Sequence, residues 1–365
     1  MEFKYKDQNI TINRYPTTEN KSLKPWNAGE EYSLNYILEK EFEDKRIVVV
    51  NDKFGFLSVA LSENTPITII DFKSQEKAIK DNFSRNNVKV IKENFVSPLE
   101  SLELGIDYAF IKIPKSTDLF RLYLTQIHKS LEEDGEVICS FMTKNFNKTI
   151  LKIAEEFFEE VGQSLAWKKS RLLILRGKKD VKEQKLINTL EYDSNNSFEQ
   201  YLGVFSAKKI DYASQYFANY ISVLPSDKKI LDLASGNGIL AHIAKEKCSD
   251  CEIHLMDDSV LAIESSKLNV EGESVFFHCE DTLDTFDKSS FDLVISNPPF
   301  HFEYENNIEV SINLFKGVHS ILKKEGRFQL VANIHLNYKT HLDKIFEKVE
   351  VLGQNDKFVV YECVK

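Results

Sequence analysis

The chain has 365 residues, a formal net charge of −10 and a hydrophobic content of 42%. This length predicts two domains, each large enough to bury its own core. No apolar run reaches membrane-spanning length and the N-terminus lacks a basic-then-apolar signal, so a cytoplasmic protein is expected. The negative charge argues against a chain that is basic all over, although it says little about any one face.

The five cysteines do not complete a metal-binding motif. Cys248 and Cys251 have the spacing of a ligand pair, yet no second pair of cysteines or histidines supplies the other two ligands. An odd number of cysteines without a signal peptide fits a reducing compartment. We therefore expect no metal and predict that the chain has no disulfide.

Residues 1–180 are predicted to form the first domain, and residues 198–365 the second. The segment 181–197 is polar and charged, which is typical of a linker. Near the end of the first domain, residues 167–171 read Trp-Lys-Lys-Ser-Arg. This basic stretch is either a solvated strand edge or an RNA contact.

The second domain contains a short apolar strand, 229–233, that runs into a loop of small residues at 234–238. A helix is predicted from 239 to 247. Glycines in such a loop allow a tight turn and let a ligand approach the backbone. The pattern also fits a dinucleotide-binding fingerprint, in which Asp257 lies at a distance suited to ribose hydroxyls.

Three later strands also end in polar residues. The strands 252–256, 274–279 and 291–295 are followed by Asp257, Asp281 and Asn297. Strands that alternate with helices predict an α/β fold with a mostly parallel sheet, and ligands bind outside the carboxyl ends of its strands. We therefore expect the loop and these three residues to form one composite site.

The turn Asn297-Pro298-Pro299-Phe300 suits methyl transfer to a planar amine, whose delocalised lone pair makes it a poor nucleophile. The side-chain oxygen of Asn297 and the carbonyl of Pro298 would accept the amine hydrogens. Pro299 would hold its neighbour extended, and Phe300 would stack on the substrate ring. An ordinary turn is the alternative. Asp232 on the preceding strand suits a cofactor with an amino group and a sulfonium, which argues against a nicotinamide enzyme.

The first domain reads as a second copy of the same fold. When residues 107–114 are aligned with 292–299, Lys112 takes the place of Asn297. A lysine ammonium offers no acceptor to an amine, and Lys53-Phe54 in place of the glycine loop would crowd a cofactor. The first domain is therefore predicted to be a degenerate duplicate that serves packing or RNA docking.

These motifs resemble those of class I S-adenosylmethionine-dependent methyltransferases, and more narrowly those of the ribosomal RNA guanine-N2 methyltransferases. The stretches that carry the resemblance are 203–206 (Gly-Val-Phe-Ser), 229–240, 296–301, 331–336 and 355–360. In the first domain, residues 14–16 and 26–32 resemble the large-subunit type of that family. The family more often has Gly-Cys or Gly-Ser where this chain has Ala234-Ser235, so weaker cofactor binding is expected at most.

The resemblance implies a cofactor site in which Asp257 binds the ribose and Asp281 lies near the adenine. The residues that it places around S-adenosylmethionine are Asp232, Ala234, Ser235, Gly236, Gly238, Asp257 and Asp281. The catalytic residues that it implies are those of the turn that begins at Asn297.

The sequence thus predicts two tandem Rossmann-like class I methyltransferase domains, the first one degenerate. The second domain is expected to methylate the exocyclic N2 amine of a guanine in ribosomal RNA, that of the large subunit (23S). The alternatives are guanine-N2 methylation of small-subunit RNA, adenine-N6 or glutamine-N5 methylation, and a non-catalytic RNA-binding or ribosome-assembly module. Ribosomal RNA is the expected partner, with no membrane, and a monomer is compatible with the sequence.

Overall fold

The computed structural model describes residues 1–18, 20, 22–38, 40, 42–194, 196–298 and 308–365. The chain divides into two compact units, Met1–Leu186 and Ile187–Lys365. The division falls inside the segment 181–197 that was expected to be a linker. The second half of that segment differs from the expectation, because residues 187–191 pair with residues 197–201 in an antiparallel hairpin. This hairpin belongs to the second unit.

The first unit begins with a two-stranded hairpin and continues as alternating strands and helices. Its elements are β1 (Glu2–Tyr5), β2 (Gln8–Thr11), α1 (Ala28–Ile37), β3 (Ile47–Val50), α2 (Phe56–Ala60), β4 (Ile67–Ile69), α3 (Lys73–Arg85), β5 (Phe95–Val96), β6 (Ile106–Lys112), α4 (Thr117–Ser130), β7 (Leu131–Met142), α5 (Lys148–Phe157), β8 (Phe158–Gln163) and β9 (Ser170–Lys178).

The second unit has the same plan. Its elements are β10 (Ile187–Glu191), β11 (Ser197–Tyr201), α6 (Tyr212–Ala218), β12 (Lys229–Leu233), α7 (Ile239–Lys247), β13 (Glu252–Asp257), α8 (Val260–Lys267), β14 (Val275–Cys279), β15 (Phe291–Ser296), α9 (Ile308–Ile321), β16 (Leu322–Asn333), α10 (Lys339–Leu342), β17 (Lys348–Gln354) and β18 (Phe358–Val364).

Each unit is built on a seven-stranded mixed sheet, and the two sheets have the same strand order. The order is β5-β4-β3-β6-β7-β9-β8 in the first unit and β14-β13-β12-β15-β16-β18-β17 in the second. Five strands of each sheet are parallel, while β9 and β18 pair antiparallel with both neighbours. Even a register shift recurs, between Ile106 and Tyr108 and between Phe291 and Leu293. The predicted α/β fold and its duplication are confirmed.

The central strands are buried because helices cover both faces of each sheet. In the second unit, Ile230 of β12 packs into one hydrophobic cluster, and Leu231 and Leu233 pack into another. All four residues of β3 are buried in the first unit. Such sheets have no free face, so the carboxyl edge of the parallel strands is where polar side chains can converge on a ligand.

The prediction that the chain has no disulfide is wrong. Cys248 and Cys251 form one across the turn that follows α7. This tight turn brings their Cα atoms to 5.6 Å, which is within the range of a disulfide. Cys139 and Cys363 are buried free thiols, and the Cys279 thiol donates to the Asp258 carbonyl at 3.8 Å. Over the part of the chain that the structure describes, none of the helices has both the length and the apolar character needed to span a bilayer.

Candidate active site

The glycine loop, residues 234–238, joins β12 to α7 at the carboxyl edge of the second sheet. Three of its residues have positive φ angles: Ala234 at 60°, Gly236 at 56° and Gly238 at 83°. The amide of Ser235 donates to the carbonyl of Met256 at 3.0 Å, which ties the loop to the end of β13. The loop is therefore a fixed, tightly wound turn beside two strand ends.

The two glycines of this loop have different surroundings. A Cβ atom added at Gly236 would meet no atom within 4 Å. A Cβ atom added at Gly238 would lie 3.0 Å from both Ser266 and Val270, where α8 packs against the loop. Gly238 is thus required by packing, whereas Gly236 leaves open space next to its backbone, as a bound ligand would need.

Ala234 occupies a conformation that L-residues avoid. At φ 60° its Cβ crowds the neighbouring carbonyl, which costs about 1 kcal/mol relative to glycine. The departure from the family's usual glycine therefore places backbone strain in the loop, rather than only a methyl group. Its expected effect on cofactor affinity stays a prediction.

Asp257 closes the loop from the end of β13. One carboxylate oxygen accepts from the amide of Gly236 at 3.0 Å, and the other accepts from the amide of Ser259 at 2.9 Å. Burial raises the pKa of Asp257 to about 6. Asp281 follows β14 at the same edge, where the amide of the preceding Glu280 donates to the carbonyl of Asp257 at 3.1 Å.

Asp232 is fully buried in β12, and burial raises its pKa to about 7. Its Oδ2 accepts from the amide of Ala241 at 2.9 Å, which fixes the first turn of α7 against the strand. Among the described residues, its Oδ1 has no hydrogen-bond partner, and the same holds for the buried hydroxyl of Ser235. Two buried polar atoms at one strand end thus lack partners from the protein.

Asn297 stands at the end of the neighbouring strand. Leu233 of β12 is paired with Ser296 of β15, and the Ser296 hydroxyl donates to the Leu233 carbonyl at 2.7 Å. Asn297 and Ala234 are the next residues along these two strands, so the side chain of Asn297 lies at the same edge as the glycine loop. Pro298 is buried. Pro299 and Phe300, named by the sequence as catalytic, lie outside the described residues.

The Asn297 amide is held in one orientation by two neighbours. Its nitrogen donates to a carboxylate oxygen of Asp211 at 2.9 Å and to the hydroxyl of Ser214 at 3.0 Å. A carboxylate accepts and does not donate, so the nitrogen must face Asp211. The amide oxygen is buried and has no partner among the described residues. The side chain therefore presents a free, oriented acceptor.

Neither Asp211 nor Ser214 was identified from the sequence. Asp211 is the N-cap of α6, and its carboxylate also accepts from the amide of Ser214 at 3.1 Å. The segment Asp211-x-x-Ser214 before an apolar run shows a helix start. Its second role is to accept a hydrogen bond from the side-chain amide of Asn297, 86 residues away. Only the folded structure shows this contact.

Comparison with known proteins agrees with this architecture over the whole length. Residues 1–180 match the family model described as the RLMG N-terminal domain, and residues 195–362 match the methyltransferase small domain. A protein of Pseudoalteromonas translucida is 30% identical over 98% of this chain and 97% of its own length. One of Aliivibrio fischeri is 31% identical over the same shares. Both are named ribosomal RNA large subunit methyltransferase G.

This chain belongs to the ribosomal RNA large subunit methyltransferase G family. Among solved structures, the T. thermophilus 16S rRNA N2-guanine methyltransferase RsmC, in complex with AdoMet and guanosine, covers 100% of this chain and 97% of its own, with a TM-score of 0.78. At 17% identity that likeness establishes the fold alone. The family and the fold predicted from the sequence are both confirmed.

The first unit of this family member repeats the backbone of the site but carries different residues there. Asn51 (φ 59°) and Gly55 (φ 80°) repeat the backbone of Ala234 and Gly238. At the position of Asn297, however, the ammonium of Lys112 lies 3.1 Å from a carboxylate oxygen of Glu30. The carboxyl of Glu30 is 1% exposed, and burial raises its pKa although Lys112 opposes the shift.

The ion pair follows from the repeat. Asn27 caps α1 as Asp211 caps α6, and Glu30 follows its cap by three residues as Ser214 does. In the second unit the third residue after the cap supports an amide whose oxygen stays free. In the first unit it neutralises a lysine. The strand end that presents the Asn297 acceptor in the second unit therefore carries the Lys112–Glu30 ion pair in the first.

Proposed function

We propose that this protein transfers a methyl group from S-adenosylmethionine to the exocyclic N2 amine of a guanine in large-subunit ribosomal RNA. The second unit carries the reaction, and the first has no chemical part in it. The groups that hold Asn297 and the glycine loop all come from one unit of one chain, which supports a monomeric enzyme. Since its substrate is ribosomal RNA, we propose that it acts in the cytoplasm.

The observation that carries this proposal is the orientation of the Asn297 amide. Both amide hydrogens are engaged by Asp211 and Ser214, so the buried oxygen is the atom of the amide left without a partner among the described residues. An oxygen that accepts an N–H of the substrate amine draws its lone pair out of conjugation and toward the methyl donor. The Pro298 carbonyl is the proposed acceptor for the second N–H. A fixed acceptor needs no reorganisation when the substrate arrives.

The residues around the glycine loop fit S-adenosylmethionine. The backbone of Gly236 borders open space, and buried oxygens of Asp232 and Ser235 have no hydrogen-bond partner among the described residues. Asp257 and Asp281 stand at the next two strand ends and are the proposed partners of the ribose and the adenine. When bound, the cofactor supplies an electrophilic methyl group. The carboxylates nearby favour its positive charge.

The site mainly positions and orients the substrate. The acceptor of Asn297 and the methyl group would have to face each other across the amine, and the pairing of β12 with β15, which puts Asn297 and the glycine loop at adjacent strand ends, supports this. A conjugated amine becomes strongly acidic once methylated, so its proton can pass to water. No dedicated general base is therefore required for turnover.

Other planar amines would fit the same acceptors, and the geometry of Asn297 does not distinguish guanine N2 from adenine N6 or a glutamine amide. Guanine in large-subunit RNA is favoured by membership of a family whose curated relatives carry that RNA in their names. The fold match to a 16S guanine methyltransferase extends over both units but has only 17% identity. A non-catalytic module is disfavoured because a scaffold has no use for a buried, oriented acceptor.

A transfer assay tests the proposed function. Ribosomal RNA from a strain that lacks this gene is incubated with the purified protein and methyl-labelled S-adenosylmethionine. We expect the label in 23S RNA and in N2-methylguanosine after digestion to nucleosides. Label in 16S RNA, in N6-methyladenosine or in protein would contradict the assignment. The same RNA from a strain that carries the gene is the control, because its target should already be methylated.

Gly236→Ala is expected to weaken S-adenosylmethionine binding at least ten-fold while the fold is largely kept. The added methyl group enters the open space beside the loop, and its positive φ costs about 1 kcal/mol. Gly238→Ala is the matched control, since its Cβ would press on Ser266 and Val270 instead. Calorimetric titration should show the larger affinity loss for Gly236→Ala, and thermal denaturation the larger stability loss for Gly238→Ala. The reverse order would remove Gly236 from the cofactor site.

A further inference from the structure

Two aromatic side chains are exposed in the segment that leads into α6. Phe205 is 75% exposed and Tyr212 is 57% exposed. Hydrogen bonds fix the turn that carries Phe205: the buried Gln200 donates to the Phe205 carbonyl at 3.4 Å, and the Ser206 hydroxyl donates to the carbonyl of Lys209 at 2.7 Å. An ordered turn thus holds the apolar ring of Phe205 in solvent.

Tyr212 directly follows Asp211, the residue that grips Asn297. The ammonium of Lys209 lies 3.7 Å from the centroid of the Tyr212 ring. Lys209, and more weakly Lys357, lower the pKa of the Tyr212 phenol. Tyr212 and Lys209 therefore lie at the start of α6, next to the residue that holds the Asn297 amide.

Lys357 comes from a different element, the turn between β17 and β18. The side-chain oxygen of Asn355 accepts from the amides of Lys357 and Phe358 at 2.9 and 2.8 Å, which sets this turn. The ring of Phe358 lies 6.3 Å from that of Tyr216 on α6. The turn is thus anchored beside α6, and its lysine is placed there by the fold.

These residues form what we call the aromatic–lysine patch: Phe205, Lys208, Lys209, Tyr212 and Lys357. Its three lysines are exposed in a chain of net charge −10. Two acids lie close by along the chain. Asp211 is engaged by the Asn297 amide, and Asp356 is exposed next to Lys357. Three lysines against these two carboxylates leave the patch with one net positive charge.

The basic stretch at 167–171 in the first unit is a weaker candidate for the same role. The ammonium of Lys168 forms an ion pair with Glu31 at 2.9 Å and lies 4.3 Å from the centroid of Trp167. Part of its charge is therefore already neutralised.

We propose that the aromatic–lysine patch binds single-stranded RNA, taking the nucleotides that flank the guanine held at Asn297. The proposal rests on the proposed function. Exposed aromatic rings stack on bases of any identity, and lysines between them bind the phosphates. A guanine can reach Asn297 only if it is unstacked, so its neighbours need a second surface to stack on. The patch supplies that surface one residue from Asp211.

The test measures RNA binding by the full-length protein without turnover. The probe is a fluorescein-labelled single-stranded oligoribonucleotide with a central guanine, followed by anisotropy. Phe205→Ala with Tyr212→Ala should weaken binding about ten-fold or more. Lys209→Glu with Lys357→Glu should weaken it and lower the slope of log affinity against log salt by about 1.4, that is, about 0.7 for each lost phosphate contact. Tyr212→Phe should keep wild-type affinity, since the ring is retained.

Two controls separate this effect from misfolding and from the proposed function. Lys288→Glu with Lys324→Glu makes the same change in net charge as the lysine variants of the patch. Both residues are exposed at the amino-terminal edge of the sheet of the second unit. This control should alter the salt slope little, and all variants should bind S-adenosylmethionine and melt as the wild type does.

Equal RNA affinity in the patch variants and the wild type would overturn the docking proposal, even if the wild type methylates guanine. So would an equal loss in the edge control, which would point to non-specific charge. Failure of the wild type to methylate any RNA would instead overturn the proposed function, while the binding measurement would still decide on the patch.

Discussion

Asn297→Ala is expected to lower the rate of methyl transfer about 100- to 1,000-fold, the usual effect of losing one oriented polar group that acts on the transition state. The variant lacks the acceptor that Asp211 and Ser214 hold in place. Affinity for S-adenosylmethionine should change little, because the loop at 234–238 is anchored by Met256 and Asp257 instead. Single-turnover transfer to ribosomal RNA and calorimetric titration of the cofactor measure the two effects separately.

Exchange of the two partners sharpens this test. Asn297→Asp keeps an acceptor but sets a second carboxylate against Asp211, which disfavours the required geometry. In the double variant Asn297→Asp with Asp211→Asn, an amide at 211 can donate to a carboxylate at 297. The double variant should therefore recover part of the activity that Asn297→Asp loses. Wild-type turnover in Asn297→Ala would refute the amine-holding role. A double variant no better than Asn297→Asp would show that Asp211 does not act through Asn297.

Much of this architecture was readable from local patterns. The helix predicted over 239–247 is α7, and the strands predicted at 252–256 and 291–295 differ from β13 and β15 by one residue at their ends. Buried parallel strands are short apolar runs closed by polar residues, so their carboxyl ends are easy to locate. The alignment of Lys112 with Asn297 likewise needed only the internal sequence repeat. The identical strand orders of the two sheets confirm that repeat.

The hydrogen-bond and ion-pair partners of Asn297 and Lys112 could not be predicted from the sequence. Asp211 and Glu30 each look like ordinary members of a helix start, and their contacts with Asn297 and Lys112 join segments more than 80 residues apart. Asp232 was expected to offer its charge to the cofactor. That role stays a prediction, and the sequence did not show that one of its carboxylate oxygens accepts from the amide of Ala241. Such contacts depend on how strands order within the sheet, which local sequence does not encode.

Lys112→Met is expected to destabilise the first unit by about 3 kcal/mol, since it leaves the buried carboxyl of Glu30 without its cation. Both tryptophans of the chain, Trp26 and Trp167, lie in this unit. Urea denaturation followed by tryptophan fluorescence therefore reports on it directly. Transfer of methyl groups should be kept under conditions where the unit is folded, because we propose that the first unit has no chemical part in the reaction.

The pH dependence identifies the cause of that loss. Burial raises the pKa of Glu30 in the folded unit, so ionisation of this carboxyl opposes folding as the pH rises above its unfolded value. Without Lys112 to oppose that rise, the variant should lose more stability at pH 8 than at pH 5, where the carboxyl can take up a proton. Lys112→Met with Glu30→Gln should recover most of the stability at pH 8, because the glutamine oxygen can still accept from the amide of Asn27. A loss that is equal at both pH values and is not recovered by the second change would mean that Lys112 contributes packing, rather than charge, to the closed site.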